Sequence, residues 1–320
     1  MDFFKNYTSL IDNAIRELPM KGGALAGLYD PIAYGLDAGG KRIRPVLTLI
    51  ACQASCGTPN PAIPAALAVE MFHNFTLLHD DVMDNSPTRR GKPSVFSKYG
   101  LNAAVLSGDT MLSMAMDMLC RLPDSALRAA LECFNRHTIE VYEGQQMDID
   151  FESRDNVTVD EYLEMIRLKT SVLLGCAAKL GAISGAATPM EQDLWYRYAE
   201  ALGLAFQIQD DRLDVYGDPA TFGKPIGGDI LNNKKTWLLL TALDSPVAAY
   251  VREVMAMDPS AEKIDAMRRL YDEAGVPELC AEAIAGYTHE ALLSLDALTL
   301  PAAIHTALAD FTSRLADRQK

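Results

Sequence analysis

The chain has 320 residues, of which 49% are hydrophobic and 22% charged, so it can form a folded core and is not expected to be disordered. Its net charge of −14 argues against a general nucleic-acid binder, which normally presents a basic face. The N-terminal residues do not resemble a signal peptide, and no apolar run is long enough for a membrane span. We therefore expect a cytoplasmic protein without a membrane span, whose six cysteines are reduced.

Helical periodicity dominates the chain. Apolar residues recur at steps of three and four over residues 63–84, 159–184 and 191–214, which predicts a helix in each range. Segments rich in Gly and Pro, such as residues 216–229, separate the helical patterns, and strand-type alternation is nearly absent. No linker or internal repeat divides the chain. We predict an all-α fold and a single domain over residues 1–320.

Two aspartate clusters lie at the ends of predicted helices, each with the spacing Asp-Asp-x-x-Asp. They consist of Asp80, Asp81 and Asp84, and of Asp210, Asp211 and Asp214. Carboxylates four residues apart share a helix face and repel each other unless a cation lies between them. Mg²⁺ accepts one or two carboxylates and fills its other positions with water and substrate phosphate, whereas the alternation of an EF-hand calcium loop is absent. Each cluster predicts half of a metal–diphosphate site, with a solvated acidic face as the alternative.

Basic residues occur in short groups at several places along the chain, two of them directly after the aspartate clusters. They are Lys41, Arg42, Arg44, Arg89, Arg90, Lys169, Lys224, Lys234 and Lys235. Arg and Lys are the natural donors to diphosphate oxygens, although each one taken singly could be an ordinary solvated base. Lys169 interrupts an apolar helix, where a buried Lys needs a partner. Gln207 and Gln209 also lie on an apolar run, so we expect them to face a cavity that holds a ligand or metal.

Seven segments, taken in order, resemble the trans-isoprenyl diphosphate synthases, also called polyprenyl synthetases. They are GGKRIRP (39–45), HNFTLLHDDVMDNSPTRRGKPS (73–94), SGDTMLSMA (107–115), EGQQMDI (143–149), RLKTSVLL (167–174), FQIQDDRLDVYGD (206–218) and FGKPIGGDILNNKKT (222–236). The resemblance implies an all-α helical bundle of the isoprenoid synthase type. It also implies a central active-site cavity, with the aspartate clusters facing each other across its mouth.

The resemblance further implies a Mg²⁺-dependent prenyltransferase. Isopentenyl diphosphate would attack an allylic diphosphate (dimethylallyl, geranyl or farnesyl diphosphate), extend it by five carbons head to tail, and release diphosphate. About three Mg²⁺ ions and several bases would stabilise the charge on the leaving group. The site would be apolar further in, because water would quench the allylic carbocation. A homodimer is implied by the resemblance alone.

The resemblance assigns roles to individual residues. The main Mg²⁺ ligands would be Asp80, Asp84 and Asp210, with Asp81, Asp211 and Asp214 acting directly or through water. The allylic diphosphate would be bound by Arg89, Lys169, Lys224 and Lys234, and isopentenyl diphosphate by Lys41, Arg44, His73 and Arg90. Thr170 and Gln207 would lie near the carbocation and form the catalytic set together with Lys169, Asp80 and Asp210. Arg212 and the pair Asn232–Asn233 depart from the common pattern, but neither removes a metal ligand.

Product length is predicted from the helix that precedes the first cluster. Phe75 lies five residues before Asp80, which is roughly 7 Å deeper at 1.5 Å per residue. In the family, a large residue at this position goes with short products, so Phe75 is predicted to form the floor of the cavity. Thr76 neighbours it, and Met71 and Phe72 would reinforce it. Products of twenty or fifteen carbons are expected; in the alternative interpretation, Phe75 is ordinary packing core.

Other functions remain as alternatives. A longer-chain polyprenyl diphosphate synthase would use the same chemistry with a deeper cavity. A non-catalytic regulatory subunit of a heteromeric synthase would tend to lose aspartates from one cluster, and both clusters are intact here. A class I terpene cyclase would carry an Asn/Ser/Glu motif in place of the second cluster, and it would not need the GGKRIRP segment.

Overall fold

The structure is a computed structural model that describes residues 2–217 and 226–316. The chain forms two compact units, the first comprising Met1–Asn135 and Cys176–Asp193, and the second Arg136–Gly175 and Leu194–Lys320. Across the described ranges, none of the helices combines the length and the apolar character that a membrane crossing requires.

Helices account for most of the described residues, which confirms the all-α prediction. In chain order they are α1 (Asp2–Arg16), α2 (Ala26–Asp37), α3 (Ile43–Cys56), α4 (Ile63–Met83), α5 (Val95–Tyr99), α6 (Leu101–Leu119), α7 (Asp124–Ser153), α8 (Val159–Ile166), α9 (Val172–Ser184), α10 (Pro189–Tyr216), α11 (Gly228–Leu231), α12 (Trp237–Leu243), α13 (Ala248–Met255), α14 (Ala261–Glu273), α15 (Val276–Asp296) and α16 (Ala302–Ala316).

In the first unit, α4 is the central helix. It packs most extensively against α6 and also against α3. Its residues from Ala65 to Phe72 are all buried, and all of them except Glu70 are apolar, as expected for a helix enclosed by others. A proline, Pro64, occupies the first turn, where its missing N–H costs no hydrogen bond. The aspartates are therefore placed at the far end of a rigid, buried helix.

A short hairpin follows the first aspartate cluster. Strands β1 (Thr88–Arg89) and β2 (Lys92–Pro93) pair antiparallel, with Arg89 opposite Lys92. Arg90 and Gly91 form the two-residue turn, and both have positive φ, as a type I′ turn requires. The pairing fixes Arg89 and Arg90 in a defined backbone frame.

The helix predicted over residues 159–184 is divided in the structure. A π-helical segment, Arg167–Ser171, separates α8 from α9; we call it the π-turn. Thr158 and Glu161 form a capping box at the start of α8. The sequence pattern does not reveal the division because apolar periodicity continues through it.

Candidate active site

The first aspartate cluster sits where α4 ends. The N–H of Asn85 bonds to the carbonyl of Val82 and that of Ser86 to the carbonyl of Asp81, while Asn85 adopts a φ of 49°. This is a Schellman ending, with Asn85 in the left-handed position that usually favours Gly. It stops the helix directly after Asp84, so that Asp80 and Asp84 stand one turn apart at the helix end.

The middle aspartate of this cluster differs from its neighbours. Asp81 is 2% exposed, whereas Asp80 is half-buried and Asp84 exposed. Arg89 donates from Nε to Asp81 Oδ1 at 2.8 Å. Burial raises the pKa of Asp81, and the charge of Arg89 opposes the rise. Asp81 thus anchors the hairpin that carries Arg89 and Arg90.

Three of the four residues predicted to bind isopentenyl diphosphate come together in the first unit. Arg44 Nη1 lies 3.3 Å from His73 Nε2. The guanidinium of Arg90 lies against Gly40, at which a Cβ would be 2.9 Å from Arg90 Nη1. The fourth residue, Lys41, is exposed and adjoins Gly40 in the chain. These residues form a basic cluster in an acidic protein.

The protonation of this cluster follows from its surroundings. Burial, and then the charges of Arg44 and Arg90, hold the pKa of His73 well below its usual range, so the imidazole is neutral at pH 7. Burial lowers the pKa of Arg44 to about 10, which still leaves it charged, and Glu70 opposes this shift. Arg44 Nε is buried and has no hydrogen-bond partner within the described residues. A buried donor of this kind suits an anionic ligand.

Arg42, next to Lys41, has a structural role that the sequence does not reveal. It adopts a left-handed backbone, with φ 51°, at the start of α3. Its guanidinium bonds to Asp12 Oδ1 at 3.1 Å, to Glu70 Oε1 at 2.5 Å and to the Leu36 carbonyl at 2.8 Å. Because its nitrogens are occupied by protein acceptors, Arg42 braces the GGKRIRP segment.

In the second aspartate cluster, which lies in the second unit, the middle aspartate is again more buried than the other two. Asp210 and Asp214 are half-buried and one turn apart on α10, whereas Asp211 is 4% exposed. Asp211 Oδ2 accepts hydrogen bonds from the Tyr162 hydroxyl and, at 3.2 Å, from the Trp237 N–H. Burial raises the pKa of Asp211 to about 7, against the opposing effect of Lys234. Asp211 thus connects α10 to α8 and to the start of α12.

Two further residues of this segment, Asp214 and Arg212, have identifiable neighbours. Asp214 Oδ2 accepts a hydrogen bond from the Asp229 N–H at 3.0 Å. Burial raises the pKa of Cys280 in α15 to about 12, and the charge of nearby Arg212 opposes this rise. Arg212, the unusual base of this segment, therefore lies near α15.

The π-turn presents Lys169 and Thr170. Lys169 Nζ donates to Asp148 Oδ2 at 2.6 Å, so the partner that a Lys in an apolar helix requires is Asp148 of α7. Thr170 Oγ1 donates to Gln207 Oε1 at 3.3 Å, which joins two residues predicted to lie near the carbocation. The sequence does not single out Asp148, although it lies within the EGQQMDI segment.

Of the other lysines predicted to bind the allylic diphosphate, Lys234 lies near acidic residues of the second unit. Its Nζ is 3.9 Å from Asp229 Oδ1. Although desolvation lowers the pKa of Lys234, the charges of Asp229, Asp211 and Asp148 raise it overall, so Lys234 is charged at neutral pH. Lys224 lies outside the described residues.

The residues predicted to limit product length are in the first unit. Phe75 is 6% exposed and Phe72 and Met71 are fully buried. Phe75 packs against Phe72 and His79, with ring centroids 5.5 and 4.7 Å apart. Thr76 is half-buried, and its hydroxyl donates to the His73 carbonyl at 2.8 Å. Phe75 therefore belongs to a rigid aromatic group directly before the aspartates.

The donor set suits Mg²⁺ bound together with a phosphate ligand. No group of three or more His, Cys, Asp or Glu side chains in residues 2–217 and 226–316 is arranged as a closed metal site. Mg²⁺ does not require one, because it retains water and phosphate ligands beside one or two carboxylates. The pairs Asp80–Asp84 and Asp210–Asp214 offer two carboxylates each, one turn apart.

Comparisons with known proteins agree on one family. The profile of the polyprenyl synthetase family matches residues 26–274. Geranylgeranyl diphosphate synthase of Methanosarcina mazei is 36% identical over 300 residues, covering 93% of this chain and 92% of the relative. Geranylfarnesyl diphosphate synthase of Natronomonas pharaonis is 36% identical over 273 residues, or 80% of each chain. A crystal structure of a geranylgeranyl pyrophosphate synthase superposes with a TM-score of 0.93, at 42% identity over 99% of both chains.

Proposed function

Because the chain belongs to the polyprenyl synthetase family, we propose that it is a prenyltransferase that makes a short-chain prenyl diphosphate. Isopentenyl diphosphate condenses head to tail with an allylic diphosphate, and diphosphate leaves. The new carbon–carbon bond forms at C1 of the allylic substrate as its carbon–oxygen bond breaks. A proton is then lost from the isopentenyl unit, and the released diphosphate is its acceptor.

The observation that supports this proposal most directly is the cluster of Arg44, His73 and Arg90. It gathers two guanidinium groups and a neutral imidazole in a protein of net charge −14. The buried Nε of Arg44 is a donor suited to a diphosphate oxygen. We assign isopentenyl diphosphate to this cluster, together with Lys41.

The allylic diphosphate is assigned to Arg89, Lys169, Lys224 and Lys234, with Mg²⁺ held by both aspartate clusters. The ions, when bound, supply charge stabilisation to the departing diphosphate, and about three are expected. Asp80, Asp84, Asp210 and Asp214 are the direct ligands in this proposal. Asp81 and Asp211 orient them through their bonds to Arg89 and Tyr162.

Thr170 and Gln207 are assigned to the reacting allylic carbon. Their hydroxyl and amide oxygens lie 3.3 Å apart and present partial negative charge without a nucleophile. Oxygen dipoles of this kind stabilise a developing cation.

We propose a product of twenty carbons, with fifteen as the alternative. The buried ring of Phe75 supports a floor near the aspartates. The name of the Natronomonas pharaonis relative indicates a longer product, so family membership alone does not set the length. A homodimer in the cytoplasm is proposed from the family resemblance; light scattering after size-exclusion chromatography tests the dimer, and cell fractionation tests the location.

Purified protein should be incubated with Mg²⁺, isopentenyl diphosphate and each allylic primer in turn, and the products sized by chromatography. We expect elongation to one main product. Asp80→Ala should abolish turnover without unfolding the protein, whereas Asp117→Ala, an exposed aspartate on α6, should leave turnover unchanged. Full activity of Asp80→Ala would overturn the assignment of the metal site, and no product with any primer would overturn the function.

A further inference from the structure

The π-turn requires an explanation because π-helical segments are rare and less stable than α-helix. Here the N–H of Val172 bonds to the carbonyl of Arg167, five residues earlier. The widened turn carries Lys169 and Thr170, two residues of the proposed allylic site. Something in the surrounding fold must therefore favour this backbone over a continuous helix.

Helix α7 contacts the π-turn at two positions, Gly144 and Asp148. Gly144 is buried, and a Cβ built on it would lie 2.7 Å from the carbonyl carbon of Leu168 and closer still to the backbone nitrogen of Lys169. Backbone atoms cannot turn aside as a flexible side chain can. Asp148, one helical turn further along α7, accepts the hydrogen bond from Lys169 Nζ at 2.6 Å.

Helix α10 repeats the arrangement. A Cβ on Gly203, which is also buried, would lie 2.8 Å from Ser171 Cα. Gln207, one turn further along α10, accepts the hydrogen bond from Thr170 at 3.3 Å. Each neighbouring helix thus presents a glycine and, four residues later, a polar side chain, which share one helix face. The glycine admits the backbone of the π-turn, and the polar group receives the side chain that the π-turn presents.

We propose that Gly144 and Gly203 are positioning residues of the prenyl-transfer reaction. Gly144 sets the distance between α7 and Lys169, and Gly203 sets the distance between α10 and Thr170. The inference rests on the proposed function, because the allylic site gives Lys169 and Thr170 their roles. A methyl group at Gly144 moves Lys169 away from the diphosphate, whereas one at Gly203 moves Thr170 away from the reacting carbon.

The test compares Gly144→Ala and Gly203→Ala with two control variants. Gly286→Ala adds a methyl group to α15 in open space, and Gly185→Ala crowds the Cys52 carbonyl, 2.9 Å from its Cβ. Steady-state kinetics are measured with Mg²⁺, an allylic primer and isopentenyl diphosphate, and folding is followed by circular dichroism. We expect Gly144→Ala to raise KM for the allylic primer about 10- to 100-fold, and Gly203→Ala to lower kcat by a similar factor, with KM for isopentenyl diphosphate unchanged in both.

The outcomes separate the inference from the proposed function. If the wild type elongates no primer, the function itself fails. If the wild type is active and both glycine variants show the kinetics of Gly185→Ala, only the inference fails. Loss of folding in both variants, with Gly185→Ala folded, assigns the glycines to stability alone and also overturns the inference.

Discussion

At the scale of single residues, neighbours with the same chemistry have different roles. Asp80 and Asp81 are adjacent, yet Asp80 is half-buried, whereas Asp81 is buried and paired with Arg89. Arg42 and Arg44 are two positions apart, yet Arg42 bonds to protein acceptors while Arg44 retains a buried donor without a partner in the described structure. Neighbouring residues in the chain point in different directions, so they differ in burial and in bonding partners, and these differences decide the role of each.

Phe75→Ala should shift the products toward longer chains, because removing the ring deepens the space before the aspartates. Product length is measured by chromatography after reaction with a single primer. Phe151→Ala, which also removes a buried ring but from the core of the second unit, should lower stability without changing product length. An unchanged product from Phe75→Ala would assign this ring to packing alone.

Glu70→Ala should lower the free energy of unfolding by about 3–5 kcal/mol, because it leaves the buried guanidinium of Arg42 without its closest carboxylate. Glu132→Ala breaks the exposed pair with Arg128 and should cost less than about 1 kcal/mol. Urea unfolding of both variants measures the difference. Equal losses would show that the Arg42–Glu70 pair is not energetically special.

At the scale of elements, the functional groups lie where regular structure ends or changes. The first aspartates occupy a Schellman helix end, Arg89 and Arg90 a two-residue hairpin turn with its strand, and Lys169 the π-turn. At these sites Asn85 and Arg90 adopt a positive φ, which is costly for a residue other than glycine and persists because the surrounding structure holds it.

Substitutions of Asn85 test the role of the helix ending, because its φ of 49° is required for the end of α4. Asn85→Gly should keep both stability and turnover, since Gly adopts this conformation readily. Asn85→Val should cost about 1–3 kcal/mol and reduce turnover, because a β-branched residue resists the left-handed region and displaces Asp84. Thermal unfolding and Mg²⁺ titration of activity measure both effects; equal behaviour of the two variants would contradict this account.

At the scale of the whole molecule, basic residues gather near the aspartate clusters although the protein as a whole is acidic. The protein has a net charge of −14, yet each unit contains bases close to its aspartate cluster. An anion bound with Mg²⁺ relieves repulsion among the carboxylates and also among the guanidinium groups, so metal and diphosphate should bind cooperatively.

Mg²⁺ and inorganic diphosphate together should therefore stabilise the protein more than either one alone. At 100 times the dissociation constant, a ligand that binds only the folded state adds about 2.7 kcal/mol. Thermal unfolding with each ligand, with both ligands, and with EDTA measures the effect. The Asp80→Ala variant should lose most of the combined shift; if it keeps the full shift, the ligand is bound elsewhere.

The sequence alone determined the helical class, the two aspartate clusters and the family, because periodicity and residue spacing are local properties of the chain that do not depend on its tertiary fold. The same local pattern indicates that Lys169, within an apolar helix, needs a partner. Only the tertiary structure decided which aspartate of each cluster is buried, that Arg42 braces its segment, and that Asp148 receives Lys169. It also showed that the backbone at Lys169 is a π-turn that lies close to Gly144 and Gly203. These features depend on contacts between residues far apart in the chain, where a missing Cβ on one helix sets the path of another.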